Sequence, residues 1–141
     1  MGRILAIDYG TKRTGIAVSD PGRMIASPLE TVATHELMHF LGSYFSREEV
    51  DLLVVGRPLQ SDGSDSQSMK PLRFFIQAFR KRFPDMRVEW MDERFTSSLA
   101  VDAMVQGGMK RKDRQEKGRI DMISASLILQ SWMERNNNLS V

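Results

Sequence analysis

The first apolar run of the chain, Ile4-Leu5-Ala6-Ile7, stops at Asp8, with Gly10 close behind. A short unbroken run closed by turn formers predicts a strand over 3–8 with both faces buried. A second strand is predicted over 15–19, with 9–14 as a hairpin-like turn between the two. A third, over 25–32, contains Pro28, whose missing N–H suits a sheet edge or a bulge. The period then changes. Leu37, Phe40, Leu41, Tyr44 and Phe45 recur at helical spacing, and Thr34 is the expected N-cap. Leu52-Leu53-Val54-Val55 restores a buried strand over 51–56. Residues 57–68 are polar, with a turn signal at Asp62-Gly63. Met69, Leu72, Ile76, Phe79 and Phe83 stripe a second helix that Pro84 ends, with Pro71 in its first turn or at a kink. A last strand follows over 87–92. Thr96 or Ser97 is expected to cap a helix closed by Gly107-Gly108. Ile120, Ile123, Leu127 and Ser131 line a final helix, and the tail is expected to fray from about residue 136.

This order predicts an α/β fold: a mixed five-stranded sheet with a three-strand antiparallel meander, then parallel strands, and helices on both faces. With 141 residues and no repeat or linker, the chain is read as one domain over 1–141. The absence of cysteine excludes disulfides, thiolate zinc sites and a cysteine nucleophile. No apolar run is long enough to span a membrane, and Asp8 comes too early for a signal peptide. The expectation is a cytoplasmic protein with no membrane partner.

Charge alters the picture locally. The net charge is +2, yet residues 110–119 alone carry +4, from Lys110, Arg111, Lys112, Arg114, Lys117 and Arg119 against Asp113 and Glu116. A basic loop on a near-neutral body points to an anionic partner met at one place. Three sets of acids stand near it in the expected topology. Asp8 ends the first strand, Asp92-Glu93 end the last, and Asp121 lies in the expected first turn of the final helix. Parallel strands end at one sheet edge, where ligands bind. Singly, each acid is as readily a turn former or a partner of a helix dipole. Gathered together, carboxylates without Cys or His suit Mg²⁺ or Mn²⁺, and two such ions can clamp a phosphodiester displacement. Lys110, Arg111, Lys112 and Lys117 would neutralise backbone phosphates, and Thr11 and Lys12, in the turn after Asp8, would hold a phosphate too. Trp90 and Trp132 are read as part-buried core.

His35-Glu36-Leu37-Met38-His39 matches the H-E-x-x-H zinc pattern, but the apolar stripe of its helix lies opposite both histidines. The pair is therefore expected to face solvent, and two histidines in all leave no third ligand of that kind.

The segment Ile7-Asp8-Tyr9-Gly10-Thr11-Lys12-Arg13-Thr14-Gly15-Ile16-Ala17-Val18-Ser19-Asp20 resembles the N-terminal motif of the YqgF/RuvX family of Holliday-junction-resolvase-like proteins. Val54-Val55-Gly56-Arg57-Pro58-Leu59, Asp92-Glu93-Arg94-Phe95-Thr96 and Lys117-Gly118-Arg119-Ile120-Asp121 agree with it in order. The resemblance implies an RNase H-like fold and a nuclease maturing the 5′ end of pre-16S rRNA, a role in ribosome biogenesis that makes precursor RNA, and with it the ribosome, the expected partner. It places Asp8, Glu93 and Asp121 in a catalytic, metal-holding site, with Asp92 beside them as a further metal candidate and Arg94 as a further candidate nucleic-acid contact. Arg57 departs from the family pattern, which often has an apolar residue there, and is a candidate phosphate contact of this chain. Resolvases of the RuvC type place an acid near the end of the fourth strand. Here that position is Val55-Gly56-Arg57-Pro58, so Glu93 would supply it from the next strand. Other readings stay open at this point: a resolvase of branched DNA, a non-catalytic RNA-binding assembly module, or an ATPase of the actin/sugar-kinase type suggested by Asp8-x-Gly10-Thr11.

Overall fold

The computed structural model describes residues 2–58, 63, 66–67, 69–92 and 117–139. Five strands form one sheet in the order β3-β2-β1-β4-β5. They are β1 (Arg3–Tyr9), β2 (Arg13–Ser19), β3 (Ala26–Ala33), β4 (Val50–Arg57) and β5 (Arg87–Asp92). β1–β2 and β2–β3 are antiparallel, while β1–β4 and β4–β5 are parallel. The expected meander and parallel half are both present. Pro28 sits on edge strand β3, where the register slips between Ile16 and Ala17, so edge and bulge occur together.

β1, β2 and β4 are buried on both faces, which explains why their apolar runs do not alternate. On one face Leu5, Ile7, Ile16, Val18, Leu53 and Val55 pack against α1 (Leu37–Arg47) and α2 (Met69–Arg82), through Leu37, Leu41, Leu72, Ile76 and Phe79. On the other, Ile4, Ala6, Ala17, Leu52, Val54 and Met91 pack against α3 (Lys117–Leu139), through Ala125, Ile128, Leu129 and Met133. Trp90 and Trp132 are partly buried against these two clusters respectively.

Two expectations at helix ends need correction. Thr34 does not cap α1. A 3-10 turn (Thr34–Glu36) precedes the helix, and neither element has a side-chain cap. The Thr34 hydroxyl is engaged elsewhere, as described below. α3 starts earlier and runs on past the Asn136–Asn138 tract to Leu139, and Asn136 Nδ2 donates to the Trp132 carbonyl at 2.8 Å. The expected helix between Thr96 and Gly108 lies outside the described residues. No described helix is long and apolar enough to cross a membrane.

Candidate active site

Because β1, β4 and β5 run parallel, their C-terminal ends share one edge of the sheet, and β2 starts there. Asp8 sits at that edge, half-buried, directly opposite Gly15 of β2. Alternation along β1 sends Ile4 and Ala6 to the α3 face and Leu5 and Ile7 to the other, so Asp8 falls on the α3 face.

Gly15 decides what meets Asp8. A Cβ built at Gly15 would overlap the Asp121 carbonyl and stand 2.9 Å from the Asp121 Cβ. Only glycine lets α3 approach β2 this closely. The contact brings Asp121 against the strand residue that pairs with Asp8, although the two acids are 113 residues apart in sequence. Asp121 is the fifth residue of α3, and the first turn holds no acid. The expected first-turn placement therefore fails, and with it the reading of Asp121 as a partner of the helix dipole, which acts within the first turn. Asp121 Oδ2 instead accepts from Arg13 Nε at 3.3 Å. The pair is partly exposed, with side-chain accessibilities of 42% for Arg13 and 24% for Asp121, so solvent screens it.

The turn between β1 and β2 is held from below. Gly10 approaches the Arg13 carbonyl so closely that a Cβ would overlap it. The Thr34 hydroxyl donates to the Gly10 carbonyl at 2.6 Å and, its proton so used, accepts from the buried Thr14 hydroxyl at 2.9 Å. The Thr34 amide donates to the Lys12 carbonyl at 2.9 Å. Thr34 thus grips both sides of Thr11, leaving the side chains of Thr11, Lys12 and Arg13 exposed at the edge. Tyr9, next to Asp8, turns to the opposite face, where its ring lies 5.6 Å from Phe75 and burial raises the pKa of its hydroxyl.

The other sequence candidates divide by face. Asp92 pairs in register with Arg57. Trp90 lies on the α1/α2 face and Met91 on the α3 face, so Asp92 falls on the α1/α2 face, away from Asp8. Arg57 shares that face and is exposed. Glu93, Arg94, Lys110, Arg111 and Lys112 lie outside the described residues. Lys117 opens α3, and its side chain is likewise outside them. His35 and His39 are both exposed, and His35 belongs to the 3-10 turn rather than to the helix, so the H-E-x-x-H geometry does not form. Sequence reasoning missed Arg13 and Thr34. Both lie in or beside the quoted motif, but no local signal says which distant acid or carbonyl each meets.

Among the described residues, no three His, Cys, Asp or Glu side chains gather closely enough to hold a metal ion. Asp8 and Asp121 are two hard oxygen donors on one side of the sheet. Their chemistry fits Mg²⁺ or Mn²⁺ and does not favour a soft ion.

With this geometry in hand, comparison with known proteins is decisive. A family model described as "RuvX: Holliday junction resolvase" matches residues 2–135. The chain belongs to the RuvX family. A Bacteroides thetaiotaomicron relative named "Putative pre-16S rRNA nuclease" is 51% identical over 134 residues, covering 95% of this chain and 97% of its own. A Christiangramia forsetii relative of the same name is 52% identical over 133 residues, covering 94% and 98%. Among solved structures, Thermus thermophilus RuvC in complex with a Holliday junction substrate superposes with a TM-score of 0.60 at 16% identity, over 94% of this chain and 96% of that one. Fowlpox virus resolvase with its Holliday junction gives 0.59 at 15%, over 94% and 97%. Those two likenesses establish the resolvase-type, RNase H-like fold of this RuvX chain.

Proposed function

We propose that this RuvX protein is a metal-dependent nuclease that hydrolyses phosphodiester bonds in the 5′-end processing of pre-16S rRNA. The observation that carries the reading is the close approach of Asp121 to Gly15, the strand partner of Asp8, at the edge where the parallel strands end. The names of the relatives supply the substrate. In this reading the protein works in the cytoplasm, among assembling ribosomal particles.

Asp8 and Asp121 would hold the metal, with Glu93 as the third carboxylate. A bound pair of Mg²⁺ or Mn²⁺ ions supplies a nucleophile at neutral pH and charge stabilisation of both oxygens in an in-line displacement. The chain's own residues do the rest. Asp8 is held by the β1–β2 ladder and Asp121 by the Gly15 contact, so neither carboxylate must be ordered when substrate arrives. Arg13 balances the Asp121 charge and keeps donors free toward the exposed edge, since its guanidinium has five N–H groups. Thr11 and Lys12, presented by the turn that Thr34 holds, contact backbone phosphates. Lys110, Arg111, Lys112 and Lys117 extend that track without reading sequence.

The test is cleavage of a 5′-extended 16S precursor RNA with Mg²⁺ or Mn²⁺, beside single-stranded RNA, duplex and four-way DNA junction. Asp8→Asn protein purified in parallel is the control. Metal-dependent cleavage of the precursor, lost in Asp8→Asn, is expected. Preference for the junction would move the function to branched DNA, in keeping with the description of the family model. Equal cleavage by Asp8→Asn would refute the site.

A further inference from the structure

On the face of the sheet away from Asp8, Arg57, Met69, Arg73 and Trp90 line a cavity of about 270 Å³. Each wall has a different chemistry, set by the fold. Trp90 is two residues short of the end of β5 and pairs with Val55; Arg57 ends β4 two residues further on. Met69 and Arg73 stand one helical turn apart at the start of α2, so they project on the same side. Met69 is buried and closes the floor, Trp90 is partly buried, and both guanidiniums are exposed at the mouth. Neither arginine lacks other contacts. A guanidinium carries five N–H donors, so a single contact does not use them all.

An aromatic wall, a thioether floor and two cations at the rim match a flat π-system joined to an anion. Indole and guanidinium planes are the surfaces on which nucleobases stack, and arginine forks pair with phosphate. The volume lies just below the range of cavities that take drug-sized ligands, which suits a base better than a larger group. β5 is two strands from β1, roughly 10 Å at ordinary strand spacing, and Arg57 ends the strand between them. A strand crossing the sheet edge at Asp8 could therefore turn its neighbouring nucleotide over the rim.

We infer that the Arg57–Arg73–Trp90 cavity is a nucleotide subsite, taking one nucleobase and its phosphate from the nucleic-acid strand whose backbone crosses the Asp8 edge. The inference rests on the nuclease reading for its strand but not for its binding chemistry. It also gives Trp90, which sequence alone marks as core, a second use for its accessible part.

The test is direct binding in EDTA, where no metal-dependent cleavage occurs. The chain has two tryptophans, so Trp132→Phe leaves Trp90 as the sole indole reporter. Its emission is followed on titration with uridine or adenosine 5′-monophosphate, then with a short single-stranded oligoribonucleotide. Saturable quenching by both is expected, with the oligonucleotide binding more tightly and displacing the monophosphate. Arg73→Gln, at an exposed helix position, should keep the melting temperature and weaken binding of both probes. Read by the anisotropy of a labelled oligoribonucleotide, since these variants lose the indole reporter, Trp90→Phe should weaken binding less than Trp90→Ala, whose loss of stacking amounts to about 5- to 150-fold in affinity. Absence of saturable quenching, or equal affinity for Arg73→Gln, would overturn the subsite. A monophosphate that binds as tightly as the oligonucleotide and is not displaced by it would overturn the placement of the cavity on the strand's path. Cleavage without a Trp90 response refutes the subsite alone. Binding with a Trp90 response but no cleavage in Mg²⁺ refutes the nuclease reading alone.

Discussion

Gly15→Ala adds one methyl group where the candidate site can least accept it. The new Cβ would overlap the carbonyl of Asp121 and sit 2.9 Å from its Cβ. The atoms it strikes are mostly backbone, which cannot swing aside as a side chain would. Overpacking in a close-packed interior costs typically 1–3 kcal/mol, and a backbone obstruction belongs near the top of that range. The opposing gain from restricting the unfolded chain is below about 1 kcal/mol. At roughly 2.1 cal/mol/K of unfolding entropy per residue, each kcal/mol moves the melting temperature of a 141-residue chain by about 3 °C. The expected fall is therefore about 5–10 °C by circular dichroism. If the helix retreats instead, Asp121 leaves Asp8, and a displacement of about 1 Å costs on the order of 10²-fold in rate. Single-turnover cleavage on the same preparation reads that second effect. Gly42→Ala is the counterpart. Its Cβ would stand 3.5 Å from Arg82 Nη2 and Phe83 Cζ, an ordinary contact inside α1. That change should stabilise by about 0.5–1 kcal/mol. A Gly15→Ala protein with unchanged melting temperature and rate would refute the claim that this glycine sets the approach of the two acids.

Asp121→Asn should abolish metal-dependent cleavage while lowering stability little, since it removes one screened ion pair with Arg13; near-wild-type rates would take Asp121 out of the site. Charge reversal at Lys110, Arg111 and Lys112 should weaken RNA binding alike across sequences and flatten its salt dependence, and an unchanged slope in filter binding would count against the phosphate track. Replacing His35 and His39 by Gln should leave activity and melting temperature near wild type, because both side chains face solvent; loss of a tightly bound zinc equivalent in the double variant would reverse that reading. Asp20 accepts from the Ile25 and Met24 amides, each at 2.8 Å, and these bonds, the Ile25 one foremost, hold its pKa below the ordinary carboxylate value. Its contribution to stability is present above that ordinary value and is lost as pH falls through the lowered one. The melting-temperature gap between wild type and Asp20→Ala should accordingly narrow in strong acid; a gap that widens would show the sign to be wrong.

The elements themselves were legible because their signals are local. Four consecutive apolar residues at Leu52–Val55, the Pro28 edge, and the stripe from Met69 to Phe79 each need only a few neighbours to be read. Sidedness was not legible. A strand buried on both faces, such as Ile4–Ile7, has no polar alternation to say which residue turns which way. Asp8 and Asp92 both look like acids at strand ends, and only the two core clusters assign them to opposite faces. Thr34 looked like a cap because Thr before an apolar stripe usually is one; the carbonyl of Gly10, 24 positions earlier, takes its hydroxyl instead. The Arg13–Asp121 pair spans 108 positions. Pairings at that separation depend on how helices dock and leave no trace in local pattern. Family resemblance names Asp8 and Asp121 as candidates, and packing at Gly15 brings Asp121 against the strand partner of Asp8.

The placement of α3 carries a consequence for how the protein is made. The last described helix covers β1, β2 and β3, the first strands to leave the ribosome. Until residues 117–139 emerge, Ile4, Ala6 and Ala17 have an open apolar face, and Asp8 has no Asp121 beside it. Contacts this distant along the chain form late, after the cost of closing a long loop is met. A nascent or truncated chain therefore holds its sheet half-covered and its acidic pair apart. If Asp8 and Asp121 form the proposed site, hydrolytic capacity arrives with the docking of α3, and a chain that lacks residues 117–139 has no assembled site to turn on the RNA around it.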